Sequence, residues 1–101
     1  MSQFSVYPMP RSRAGYVVDI QSGLLDELST RVVIPLLPRS AAPRIPAKTL
    51  NPIISVSGAE YVLMTQNIAT VPLSLLRTPV GTLATHRDEI VRAIDALLSG
   101  L

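Results

Sequence analysis

The sequence predicts a mainly β domain that ends in one α-helix. Three observations carry this. Short apolar, β-branched runs recur from Phe4 to Leu76, each brief enough for a strand. Nine prolines and five glycines punctuate the chain, which leaves little room for a long helix in its first three quarters. From Thr85 onward the apolar residues shift to helical spacing. A length of 101 residues suits one domain, so residues 1–101 are expected to form a single unit.

Taken in order, Phe4-Ser5-Val6-Tyr7 alternates and reads as a strand, ended by Pro8 and Pro10. Arg11 to Gly15 is a polar, basic loop. Tyr16 to Ile20 is β-branched and forms the answering strand of a long hairpin. Ser22 to Leu28 fits either a helical turn or a loop. Arg31 to Leu37 is a strongly apolar strand in which Pro35 demands an edge or a bulge, because proline donates no ladder hydrogen bond. Pro38 to Lys48, with three prolines and several cations, reads as an irregular excursion. Leu50 to Val56 and Glu60 to Thr65 form a second hairpin about the turn residues Ser57-Gly58. Asn67 to Thr70 is a connection, and Val71 to Leu76 a last strand interrupted by Pro72. This gives about five strands.

The helix is expected to start at Thr85 as N-cap, with Asp88 three residues on. Asp88 and Glu89 in its first turn favour the helix dipole. Ile90, Val91, Ile94, Leu97, Leu98 and Leu101 fall on one face as the apolar stripe, and Asp88 stands four residues before Arg92, the favourable order for an ion pair. Gly100 is placed to end the helix.

Composition narrows the function. Hydrophobic residues make up 48 % of the chain and charged residues only 16 %, so apolar surface left after folding is expected to go into a homodimer. There is no cysteine, which fits a cytoplasmic setting and removes thiol chemistry. The first residues lack a basic stretch followed by an apolar run, and no apolar stretch is long enough to span a membrane. Net charge is only +2, but no acid lies between Glu27 and Glu60, a stretch that holds Arg31, Arg39, Arg44 and Lys48. No aromatic residue interleaves these cations, so direct nucleic-acid binding is not expected.

No catalytic or metal-binding constellation is legible, and no cofactor is expected. His86 is the only histidine and stands beside the helix start. Acid–base catalysis wants a partnered group, and metal binding wants recognisable ligand spacing. The five glycines are isolated and form no phosphate-binding loop. The enzymatic alternative that survives is RNA cleavage, with Arg11, Arg13 and Arg31 as candidates to stabilise a phosphorane. The leading expectation is a protein that binds other proteins and catalyses nothing itself.

Ordered segments along nearly the whole chain carry a resemblance. They are Gln3-Phe4-Ser5-Val6-Tyr7, Val18-Asp19-Ile20-Gln21-Ser22, Arg31-Val32-Val33-Ile34-Pro35-Leu36, Met64-Thr65, Ala69-Thr70-Val71-Pro72, His86-Arg87 and Gly100-Leu101. Together they resemble the CcdB family, toxins of toxin–antitoxin modules. The resemblance implies an SH3-like β-barrel of the CcdB/MazF type with a small β wing and a terminal helix. It also implies a homodimer, poisoning of the DNA gyrase A subunit through the C-terminal tip, and neutralisation by an antitoxin whose disordered C-terminal segment folds onto the toxin.

Carried over by position, the gyrase-binding set is Leu24, Leu25, Asp95, Leu98, Ser99, Gly100 and Leu101. The family tip reads Trp-Gly-Ile; here it is Ser99-Gly100-Leu101. Serine removes the flat aromatic face that would stack on a gyrase arginine, so gyrase poisoning transfers less well than the fold. Asp95 places a charge where a neutral amide is the rule. The antitoxin, as an acidic segment, is expected on Arg11, Arg13, Arg44 and Lys48. An mRNA-cleaving toxin on the related fold, or a non-toxic dimer that only binds antitoxin, are the alternatives.

Overall fold

A computed structural model describes residues 3–12, 14–43 and 47–100. Seven strands, all paired antiparallel, form one sheet: β1 (Ser5–Pro8), β2 (Tyr16–Asp19), β3 (Thr30–Pro38), β4 (Ile53–Val56), β5 (Ala59–Leu63), β6 (Ala69–Pro72) and β7 (Gly81–Thr82). Their order is β4-β5-β3-β2-β1-β7, with β6 also on β3. One helix, α1 (Arg87–Ser99), follows. The mainly β class with a terminal helix is as the sequence predicts.

Both faces of the sheet are covered, and the alternation of side chains shows it. On β2, Val18 enters one core and Val17 the other. On β3, Ile34 and Leu36 enter the first and Val33 the second. A strand buried on both faces needs apolar residues at successive positions, which is why these segments read as continuous runs in the sequence. The larger core joins Phe4, Val6, Val18, Ile34, Leu36, Ile54, Leu63 and Leu83 to Ile90 and Ala93 of the helix. The smaller core is Tyr7, Val17, Val33 and Leu76, with Met9 and Val71 packed on it.

β3 is the hub. It pairs with β2 on one side, and on the other with β6 through Thr30–Val33 and with β5 through Leu36–Pro38. Pro35 falls where the partner changes. Its carbonyl accepts a hydrogen bond from the Met64 amide at 2.9 Å, so its missing N–H faces the junction between two strands, where the ladder loses least. The β4–β5 hairpin turns on Ser57 and Gly58, whose φ values of 51° and 82° are those of a two-residue turn with both central residues left-handed.

Of the local expectations, the helical-turn alternative for Ser22 to Leu28 holds, and several others are corrected. Ser22 to Leu28 contains a short 3-10 turn at Gly23–Leu25. The last predicted strand ends at Pro72, and Leu73–Leu75 is a 3-10 turn. The helix begins at Arg87, not after a Thr85 cap: the N-cap is His86, without a side-chain capping bond, and its Nδ1 lies 2.9 Å from the Glu89 carboxylate. Asp88 lies 3.8 Å from Arg87, its neighbour, in place of the expected Arg92. The apolar stripe is only partly used. Ile90 and Ala93 are buried, Val91, Ile94 and Leu97 half-buried, and Leu98 is 79 % exposed. Gly100 ends the helix as expected, left-handed at φ 72°, its amide donating to the Ala96 carbonyl at 3.0 Å.

Candidate functional site

The first region built from sequence-predicted residues is the turn after β2. Leu24 is 94 % exposed, and Leu25 and Leu28 are exposed beside it. Hydrogen bonds fix this turn in place. The hold is polar and lies beneath it. Ser22 Oγ accepts from the Leu24 amide at 3.2 Å, and Gln21 Nε2 donates to the Leu25 carbonyl at 2.9 Å. Gln21 is itself fixed, its amide donating to Asp19 Oδ1 at 2.9 Å and its Oε1 accepting from the Val32 amide at 3.1 Å. Arg31 rises from β3 and donates to the carbonyls of Leu25 at 3.3 Å and Asp26 at 3.0 Å.

Arg31 is therefore not the surface cation the sequence offered as a phosphorane stabiliser. It is buried and ion-paired, with Nε 3.7 Å from Asp19 Oδ2 and Nη1 3.4 Å from Asp26 Oδ1. Burial raises the Asp19 carboxyl above the ordinary carboxylate range, while the Gln21 amide and the Arg31 charge pull it back. Burial also raises the Tyr7 phenol, and the Asp19 charge adds to that shift. Not every polar atom here is satisfied: Arg31 spends its Nη atoms on the Leu25 and Asp26 carbonyls, while Arg31 Nε and the Tyr7 hydroxyl are buried without a hydrogen-bond partner among the described residues.

The second predicted region is the helix end. Asp95, Leu98, Ser99 and Gly100 are all exposed. The Ser99 hydroxyl donates back to the Asp95 carbonyl at 2.6 Å, so it is occupied within its own helix. Leu101 lies outside the described residues.

Of the predicted basic set, the described members Arg11 and Lys48 line different cavities. Lys48 lines a shallow cavity with Thr49, Pro52, Glu89 and Arg92. Arg13 and Arg44 lie outside the described residues. Arg11 lines a different cleft of about 530 Å³, between Pro8–Arg11 on one wall and Ser74, Leu75 and Arg77 on the other. Arg77 is the residue the sequence reading missed. Nothing local marks it: it lines the same cleft as Arg11, and its neighbour Leu76 belongs to the smaller core with Tyr7, on which Met9 also packs. Among the residues lining this cleft there is no carboxylate.

Among the described residues no cluster of histidine and carboxylates is placed to hold a metal ion, and no helix is long and apolar enough to cross a membrane. Chemistry at the arginine cleft is thus that of anion recognition by guanidinium groups, with one hydroxyl, Ser74, at hand.

Comparison with known proteins adds to this. The model of the family described as CcdB protein matches residues 3–100. Among solved structures, an endoribonuclease from a mycobacterial species aligns with TM-score 0.75 and 17 % identity, over 100 % of this chain and 92 % of that one. The Mycobacterium tuberculosis toxin MazF-mt6 aligns with TM-score 0.70 and 16 % identity, over 90 % of this chain and 92 % of that one. At such identities the likeness is one of fold. It corrects the expectation that this protein catalyses nothing itself, because the fold it has is one that an endoribonuclease carries. That expectation rested on the lack of cysteine, metal ligands and a partnered histidine, and cleavage of RNA by its own 2′-hydroxyl needs none of these as a nucleophile.

Proposed function

Since the chain belongs to the CcdB family, toxins of toxin–antitoxin modules, we propose that it is the toxin of such a module and that it acts by cleaving RNA. The observation that carries this reading is the fold shared from end to end with an endoribonuclease. The chemistry asks little of the protein. The ribose 2′-oxygen attacks the adjacent phosphorus, a P–O2′ bond forms and the P–O5′ bond breaks. The 2′ proton leaves and the 5′-oxygen takes one up, so no oxidant, metal or external nucleophile is consumed. What the protein must supply is position and positive charge for the phosphorane. In this reading residues 1–101 act as one toxin domain in the cytoplasm. It works as a homodimer, and an acidic antitoxin segment holds it in check. The test is incubation of purified protein with defined RNA. Products ending in a 2′,3′-cyclic phosphate are expected. Intact RNA from a protein that still arrests growth would overturn the reading.

A second reading has its own observation. Leu24 and Leu98 stand in solvent, at positions that the family resemblance assigns to the gyrase A subunit. With Ser99 in place of an aromatic, loss of a central anchor costs about 2 kcal/mol or more of binding, so a gyrase contact here is weaker than the family's. Native protein and Ser99→Trp in a gyrase DNA-cleavage assay decide it. Trapped cleavage complex with the native chain favours gyrase as target; none with either chain excludes it.

A further inference from the structure

We propose that the cleft between Pro8–Arg11 and Ser74–Arg77 binds the phosphodiester backbone of RNA; the proposal rests on the RNA-directed reading above and gives it a site. Folding brings Arg11 and Arg77, far apart in sequence, into the lining of one cleft. Arg31, Arg39 and Arg87 each lie beside a carboxylate, at 3.7, 2.8 and 3.8 Å. Arg11 and Arg77 have no such partner among the described residues, and no acid lines their cleft. Two guanidiniums without counter-charge, converging on one space, suit an anion with several oxygens.

The wall that carries Arg11 is set in advance. Arg11 has left-handed backbone angles, φ 64° and ψ 33°, which a residue with a β-carbon adopts at a cost. Pro8 and Pro10 on either side of Met9 restrict the chain, and the Met9 amide donates to the Gly15 carbonyl at 3.1 Å. On the other wall the 3-10 turn Leu73–Leu75 leads into Leu76, which anchors in the smaller core. Besides the two cations and Ser74, the lining includes the apolar residues Met9, Pro10 and Leu75. That is the surface a ribose or an unpaired base packs on, in a space of the size that takes a small ligand.

An acidic peptide is the rival occupant, and the same wall argues against it. An extended peptide gains affinity from main-chain hydrogen bonds to a strand edge. Pro8 and Pro10 offer no amide donor, and the facing wall is a 3-10 turn. A phosphodiester needs only the guanidinium side chains.

The experiment is fluorescence anisotropy with a short, single-stranded 2′-O-methyl RNA, which binds but cannot be cleaved. Native protein is compared with Arg11→Ala, Arg77→Ala, the double variant, and Arg39→Ala as a surface control. Arg11 and Arg77 are exposed, so thermal melts of the variants are expected to match the native one. The double variant should bind about tenfold more weakly, and its slope of log Kd against log salt should fall by about 1.4, the value for two phosphate contacts on a single strand. Arg39→Ala should bind as the native protein does. Equal binding by native and double variant overturns the proposal, as does no binding at all by the native protein. So does an acidic peptide that depends on both arginines while RNA does not. Cleavage of unmodified RNA, run in parallel, separates the two readings. Cleavage that survives in the double variant removes this site and keeps the nuclease. Arginine-dependent binding without cleavage keeps this site and removes the nuclease.

Discussion

Arg31 and Asp19 face each other inside the sheet, Nε to Oδ2 at 3.7 Å, each side chain only 2 % exposed. The pair sits under the exposed leucine turn and fastens it through the Leu25 and Asp26 carbonyls. Removing one partner of a buried pair strands the other without its counter-charge. Arg31→Ala should therefore destabilise the fold by about 3–5 kcal/mol in chemical denaturation. Replacing the exposed Arg39 in the same way should cost no more than about 1 kcal/mol, since its bridge to Glu60 is in water. Similar losses for both variants would mean that the buried cluster holds nothing.

Asp19 also makes stability depend on pH. Its folded pKa is raised by burial above the ordinary value of 3.8, so the folded state holds the proton more tightly than the unfolded state. Its contribution is then fully present below the unfolded pKa and is lost as pH rises through the folded one. The stability of the native protein minus that of Asp19→Asn should fall as pH climbs from about 4 through the Asp19 midpoint, measured by urea titration at each pH. A difference that grows with pH contradicts the assignment.

The helix offers a contrast within one element. Ile90 is fully buried in the larger core, whereas Leu98 is 79 % exposed. Ile90→Ala should cost about 2–5 kcal/mol, and Leu98→Ala less than about 0.5 kcal/mol, by thermal or chemical unfolding of the two variants. A large effect at Leu98 would point to burial against a second copy in solution. Repeating the melt across a dilution series detects it.

Gly15 is a position where a side chain is excluded twice over. Its φ is +102°, and a β-carbon there would collide with the Leu36 carbonyl oxygen of the neighbouring strand. Gly15→Ala should lower stability by about 1–3 kcal/mol or prevent accumulation of soluble protein. Gly58→Ala, also at positive φ but with open space around it, should cost less, which separates collision from backbone strain. Equal losses would assign the whole effect to strain.

The sheet was readable for a physical reason. Strands buried on both faces need apolar residues at every position, so Tyr16–Asp19 and the central part of Thr30–Pro38 stand out as runs. Ser57-Gly58 announces its turn because few residue pairs tolerate two left-handed positions. The helix was readable in its period but not in its burial. Spacing says that Leu98 shares a face with Ile94, and only packing says where the core stops.

The candidate site was harder. Leu24 and Leu25 carry no periodic signal that tells a turn from a loop, and the polar hold beneath them is made by Gln21, just after β2, and by Arg31 of β3. Arg31 looks like a surface cation because charge alone does not reveal a buried partner twelve positions earlier. Arg77 has no neighbour in sequence to suggest Arg11; the two share a cleft only in the folded chain.

The short pairing of β7 with β1, Ser5 against Thr82 and Val6 against Gly81, bears on how the chain is born. Among the described residues, the outer flank of β1 is covered only by β7, which is made much later than β1. At about 5–20 residues per second, roughly 4–15 s pass between the two. Through that interval β1 presents bare amides and carbonyls to any neighbouring nascent chain. A growing chain thus carries an open β1 edge until β7 has been made.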